Sequence, residues 1–169
     1  MSSSSAVQRR RVVIGAAALA LAGCGFELRR APELRFATLF LAGFAPRSPL
    51  EKELRMNIDA SATTRVVQAL PQAQVVLEAL EDARERQVVA SSAAGQVTEF
   101  NLRERFRFRV RSVSGRELIP ETELIQNRDL SYTESAALAK ETEENFLFVA
   151  MQNDIVAQVL RRLASIQTF

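Results

Sequence analysis

The 169-residue chain has no histidine and no tryptophan, one cysteine (Cys24) and one tyrosine (Tyr132). Without histidine it lacks the side chain that most often serves as general base or metal ligand near neutral pH. One cysteine gives neither an internal disulfide nor the paired thiolates of a structural zinc site. No glycine-rich phosphate loop and no G-x-S-x-G elbow is present. Acidic residues are plentiful, yet no two stand out as an acid–base couple. These absences point away from an enzyme and imply no metal and no cofactor, although they leave a Ser–Lys or carboxylate-only site open. No apolar run reaches the roughly 20 residues that a membrane-spanning helix needs.

What the chain does have begins at its start. Arg9, Arg10 and Arg11 precede an apolar stretch from Val12 to Ala22, and Leu21-Ala22-Gly23 leads directly into Cys24. A charged start, a short apolar segment and small residues at the cut form a secretory signal. A cysteine just after that cut fits the lipoprotein pattern, in which the thiol is diacylated and the new amine acylated. Several chains on one residue meet the need for more than one lipid signal in stable anchoring. The expected organisation is a signal peptide over 1–23, a lipidated tether over 24–32 and one domain over 33–169. The arginines leave both general and twin-arginine export open. Gly25 lacks the aspartate associated in many such lipoproteins with inner-membrane retention, which fits the expected location, the outer membrane of a Gram-negative bacterium. Removing residues 1–23 takes away three arginines and no acid, so 22 basic residues become 19 against 20 acidic. The net charge moves from +2 to −1, which gives no reason to expect a nucleic-acid partner.

The rest of the chain reads as alternating strands and two helices. Leu34, Phe36, Thr38 and Phe40 share one side of a strand with Arg35, Ala37, Leu39 and Leu41 on the other, the mark of a covered strand. Ser48 as N-cap, Pro49 and Glu51 start a helix with Leu50, Leu54 and Ile58 on one face, ending near Asn57–Ser61. A short strand fits at Arg65–Gln68. Three longer runs follow, Gln74–Val89, Val97–Val113 and Arg116 to about Tyr132, separated by Ala94-Gly95 and Ser114-Gly115. Short glycine links between alternating runs predict an antiparallel meander. Pro120 in the last run favours an edge or a bulge. A helix over about Glu134–Ala164 closes the chain, with Phe148, Met151, Ile155, Val159 and Leu163 at helical spacing. The predicted class is α+β: a two-layer sandwich of about four mostly antiparallel strands with two helices on one face, in the order β-α-β-β-β-α.

Two features are candidates for binding. Arg103, Arg105, Arg107, Arg109 and Arg111 recur with period two, on the face of a strand opposite Leu102, Phe106, Phe108 and Val110. Such a ladder either binds phosphates or carboxylates, or pairs across the sheet with Glu78, Glu117, Glu121 and Glu123. Five like charges on one face need partners in both cases. Lys140, in Ala137-Leu138-Ala139-Lys140, is either a solvated helix charge, paired with Glu144 one turn on, or a ligand contact.

These residues carry a resemblance. Cys24-Gly25-Phe26-Glu27-Leu28-Arg29 resembles the mature start of the lipopolysaccharide-assembly lipoprotein family LptE, also called RlpB. Gly95-Gln96-Val97-Thr98-Glu99-Phe100-Asn101-Leu102, Ser114-Gly115-Arg116, Arg128-Asp129-Leu130-Ser131-Tyr132, Ala137-Leu138-Ala139-Lys140-Glu141 and Leu160-Arg161-Arg162-Leu163 continue it in order. The resemblance implies a non-catalytic lipoprotein that plugs the lumen of an LptD-type outer-membrane β-barrel, helps it assemble and binds lipopolysaccharide. It places Lys140 in the family's lysine-bearing motif. It also implies a basic residue just before the Gly-Gln turn, where this chain has Ser91-Ser92-Ala93-Ala94; the arginine ladder either replaces that charge or is structural. The competing reading is an outer-membrane lipoprotein that binds another anionic envelope component or scaffolds a different envelope machine.

Overall fold

The computed structural model describes residues 33–167, so the signal segment, Cys24 and the tether over 24–32 lie outside the described residues. Five strands and two α-helices follow one another: β1 (Thr38–Ala42), α1 (Pro49–Asp59), β2 (Arg65–Val67), β3 (Val75–Ser91), β4 (Val97–Ser112), β5 (Glu117–Ser131) and α2 (Ala137–Ala164). They form one sheet in the order β2-β1-β3-β4-β5, with both helices packed on the same face. β3, β4 and β5 are the antiparallel meander, while β1 runs parallel to both of its neighbours. The α+β class is as expected. The sheet has five strands because Arg65–Val67 pairs with β1, and that pairing makes β1 an interior strand.

Local chemistry explains the helix boundaries. The Ser48 hydroxyl accepts from the Glu51 amide at 3.1 Å and donates to Asp82 at 2.6 Å, so one side chain caps α1 and ties it to the sheet. Leu50, Leu54 and Ile58 are the buried face of α1. The closing helix begins as a 3-10 turn over Glu134–Ala136, where no side chain caps it, and becomes α-helical at Ala137. Pro120 lies on an edge strand and also in a bulge: Phe108 pairs with Thr122 and Val110 with Ile119, so Pro120 and Glu121 together oppose Arg109.

A second bulge reorganises β3. Ala79 pairs with Phe108 but Glu81 pairs with Arg107, leaving Leu80 as an inserted residue. Before it, Val75, Leu77 and Ala79 face the helices. After it, side-chain parity is reversed, and Asp82, Arg84 and Arg86 stand across from the inward-facing Phe106, Glu104 and Leu102. Gly43, with φ +79°, packs against this bulge so closely that an added Cβ would lie 2.2 Å from the Ala79 carbonyl oxygen.

The apolar interior has two parts. The larger joins β1, α1, β3, β4, β5 and the C-terminal half of α2 through residues such as Leu39, Leu54, Leu77, Phe106, Leu124 and Ile155. The smaller contains Phe100, Leu102, Leu130, Phe148 and Met151. Among these inward-facing positions Glu104 is fully buried, and neither of its carboxylate oxygens accepts a hydrogen bond. Arg84 Nε approaches one oxygen to 3.5 Å, and Arg84 also donates to Gln152, whose amide donates at 3.0 Å to the Pro49 carbonyl. Burial raises the Glu104 carboxyl to about 7, opposed by the charge of Arg84 and reinforced by that of Asp82.

Two outcomes follow from these contacts. Gly43→Ala needs both a left-handed backbone carrying a side chain and a shift of β3, so urea denaturation should show a loss of at least about 2 kcal/mol. Glu104 has a folded-state pKa above its unfolded value, so folding takes up a proton between those two values. The stabilisation is complete below about pH 4.5 and is lost as pH rises through about 7. Denaturation curves for the wild type should therefore fall across that window by up to about 1.4 kcal/mol per pH unit, and Glu104→Gln should flatten the fall.

Candidate functional site

The arginine ladder lies on the sheet face away from the helices, as its period requires. Arg109 pairs with Glu78 at 2.7 Å and Arg111 reaches the same carboxylate at 3.8 Å. Arg107 pairs with Glu121 at 3.0 Å and Glu81 at 3.5 Å. Arg105 is shared by Glu81 and Glu85, both at 3.3 Å, and by Glu123 at 3.9 Å. The hydrogen bond and charge of Arg109 hold the Glu78 carboxyl below the usual range. Glu81 and Glu85 face the ladder only because of the parity change at Leu80. Glu117 stands opposite Arg111 in the register. Among the described residues Arg103 has no carboxylate within 4 Å.

Lys140 stands elsewhere, on the helix side and at the other end of the meander. Its ammonium donates to Ser131 Oγ at 3.0 Å and pairs with Glu143 at 2.8 Å, not with the Glu144 expected from spacing. Glu144 pairs instead with Arg86 at 3.1 Å. The Arg86 guanidinium lies over the Phe100 ring at 3.7 Å, with the Tyr132 ring at 5.9 Å. Arg86, Lys140, Tyr132, Leu138, Glu141 and Glu144 line one cleft of about 350 Å³. Arg86 is the residue that sequence reasoning missed. Within its own run it is one more charge in Glu81–Arg86, and only strand register brings it beside α2.

The cleft sets two cations against one exposed acid, Glu143, and one half-buried acid, Glu144. Each of these two pairs has one partner about half exposed, and such surface pairs contribute only about 0–1 kcal/mol, so an incoming anion that binds both cations can compete with Glu143 and Glu144. The aromatic ring under Arg86 holds the guanidinium in place while leaving its donors available. Leu138 lines the same cleft with 83% of its surface exposed. The arrangement therefore offers two donors of positive charge beside an apolar side chain, suited to holding an amphiphilic anion. It contains no nucleophile aligned with a base.

Residues 36–163 match the model of the lipopolysaccharide-assembly family, LptE. The chain belongs to the LptE family. It is 27% identical over 157 residues, covering 92% of this chain and 84% of the relative, to the LPS-assembly lipoprotein LptE of Pectobacterium atrosepticum. Among solved structures it is similar to lipoprotein B of Nitrosomonas europaea, with 29% identity, a TM-score of 0.67 and coverage of 83% and 91% of the two chains. The rare lipoprotein B of Shewanella oneidensis shares the fold, with 24% identity, a TM-score of 0.63 and coverage of 76% and 94%. Membership of the LptE family gives the chain a non-enzymatic role in lipopolysaccharide assembly.

The ladder geometry can be tested on stability alone. Arg105→Ala leaves Glu81, Glu85 and Glu123 without their shared counter-ion. These pairs are partly exposed, so thermal melts should show a loss of about 1 kcal/mol or less at low salt, shrinking as salt is added.

Proposed function

We propose that the chain is a lipid-anchored outer-membrane subunit of the lipopolysaccharide translocon. In this reading residues 1–23 are the removed signal and Cys24 carries the lipids. Residues 24–32 form the tether, and the domain over 33–169 plugs an LptD-type β-barrel, helps it assemble and binds lipopolysaccharide. The family match over residues 36–163 carries the reading. The Pectobacterium relative, an LPS-assembly lipoprotein by name, supports the lipid anchor and the cargo class.

The surface chemistry agrees with a plug. The lumen of a large outer-membrane barrel is polar, so whatever fills it needs a charged, hydrated exterior. The far face of the sheet offers a mat of paired arginines and glutamates. The outer face of α2 exposes Leu138, Phe146 and Val149 between polar residues. Such a mixed surface fits a large, wet contact made by the sheet face, the loops and the long helix together.

Lipopolysaccharide is held through its phosphates by Lys140, with Arg86 as the second cation. Arg86 supplies from β3 the charge that Ser91–Ala94 lacks. Arg105, Arg107, Arg109 and Arg111 are engaged by glutamates and serve the sheet first; Arg103, with no such partner, is the ladder member nearest to a ligand role.

The experiment is purification of the tagged lipoprotein from its native membranes, followed by lipopolysaccharide binding to single variants. A β-barrel of the LptD type should co-purify in a one-to-one ratio. Lys140→Ala and Arg86→Ala should each weaken binding about three- to ten-fold, the loss of one charge-assisted contact, with melting temperature retained. Capture of a different envelope machine, or unchanged binding in both folded variants, would refute the reading.

A further inference from the structure

A second cleft adjoins the cationic one, and Tyr132 lines both. It has a volume of about 730 Å³ and is formed where the β3–β4 turn, the start of β4 and the segment between β5 and α2 meet. Gln96, Thr98, Tyr132, Thr133, Glu134 and Ser135 line it. The chemistry differs from that of its neighbour. The lining offers an amide, three aliphatic hydroxyls, a phenol and one carboxylate, with no cation. The Tyr132 ring is set edge-to-face against Phe100, with centroids 5.2 Å apart, and its hydroxyl makes no hydrogen bond among the described residues. Thr133 caps nothing with its side chain.

A lining of this kind suits a neutral polyhydroxylated ring. Each sugar hydroxyl both donates and accepts, and the amide and hydroxyl side chains do the same. Tyr132 adds a flat apolar surface with a polar tip. Because that residue is the shared wall, a ring in the larger cleft lies next to whatever anion occupies the Arg86–Lys140 side. We propose that the larger cleft is a saccharide subsite, and that the two clefts together take a phosphorylated sugar, the headgroup chemistry of lipopolysaccharide. The phosphate sits with Arg86 and Lys140, and the ring sits with Gln96, Thr98 and Thr133. This rests on the anion-binding reading of the smaller cleft.

The test uses the full chain purified from membranes in a non-ionic polyoxyethylene detergent, which carries no sugar to compete. Inorganic phosphate and glucosamine 1-phosphate are titrated separately and followed by NMR. On the wild type the sugar phosphate should bind about five-fold tighter than phosphate, the gain from one or two added hydrogen bonds. In Gln96→Ala/Thr133→Ala that preference should fall below about two-fold while phosphate affinity stays unchanged. Neither side chain makes a hydrogen bond among the described residues, so the variant should fold, and its melting temperature checks this. Equal binding of the two probes by the wild type, or a preference that survives in the folded double variant, would overturn the subsite. Lys140→Ala separates the two proposals. If it leaves phosphate binding untouched while the double variant still abolishes the sugar preference, the anion reading fails and the saccharide subsite stands. If it weakens phosphate binding but the double variant changes nothing, the anion reading stands and the subsite fails.

Discussion

The single residue inserted at Leu80 decides which charges this sheet brings together. A strand with a side-chain period of two would carry the inward parity of Val75, Leu77 and Ala79 onward to Glu81, Ala83 and Glu85. Two acids would then enter the helix interface and Arg84 and Arg86 would face the ladder, adding to its positive charge. The bulge reverses that assignment. Glu81 and Glu85 now join Glu78 against Arg105, Arg107 and Arg109, while Arg84 meets Glu104 and Arg86 meets α2. Gly43 fills the space beside this bulge where only a residue without Cβ fits. A turn glycine thus underlies both the neutrality of one face and the cationic cleft on the other.

The two groups of cations differ in how their acids are held. On the ladder face the carboxylates come from strands on either side, and Arg105 is bound by three of them. Moving one acid away leaves the others, so a ligand must compete with a network. At the cleft each cation has one carboxylate, borne by the side of α2. An anion that took both cations at once would replace two partly exposed pairs with charge-assisted bonds to one group. Density of arginine alone therefore does not mark an open cation: Arg105 and Arg107 are held by several acids, and Arg109 and Arg111 share Glu78.

Much of the fold was legible because its signals are local. Ser48-Pro49 marks the start of α1 and its three apolar residues mark the buried face, and both act within one turn of helix. The meander followed from alternation broken at Gly95 and Gly115, each of which adopts positive φ. The bulge was not legible, because Glu81-Ala83-Glu85 continues the alternation as well as Asp82-Arg84-Arg86 does, and only pairing with β4 chooses between them. Glu104 did leave a signal: it is a lone acid on the side of β4 that also carries Leu102, Phe106 and Phe108. Lys140 was found through its motif, whereas Arg86 depends on contact between β3 and α2, which no local pattern encodes.

The position of the cleft also follows from how the core is distributed. The larger apolar cluster gathers β1, α1, the C-terminal half of α2 and the parts of β3, β4 and β5 beside them at one end of the sheet. At the other end the meander runs on without β1 or α1, and the smaller cluster of five buried residues holds it. There the layers are joined partly by Arg84 lying over the Phe148 ring and by the partly exposed Arg86–Glu144 ion pair, which stabilise less than buried apolar contact. Local opening costs least where such contacts replace a deep core. Lys140, Arg86 and Tyr132 stand in this thinner region, so side chains there rearrange at less cost than those of the packed end. The separation makes one small domain firm where the deep core holds it and more easily opened around the cleft.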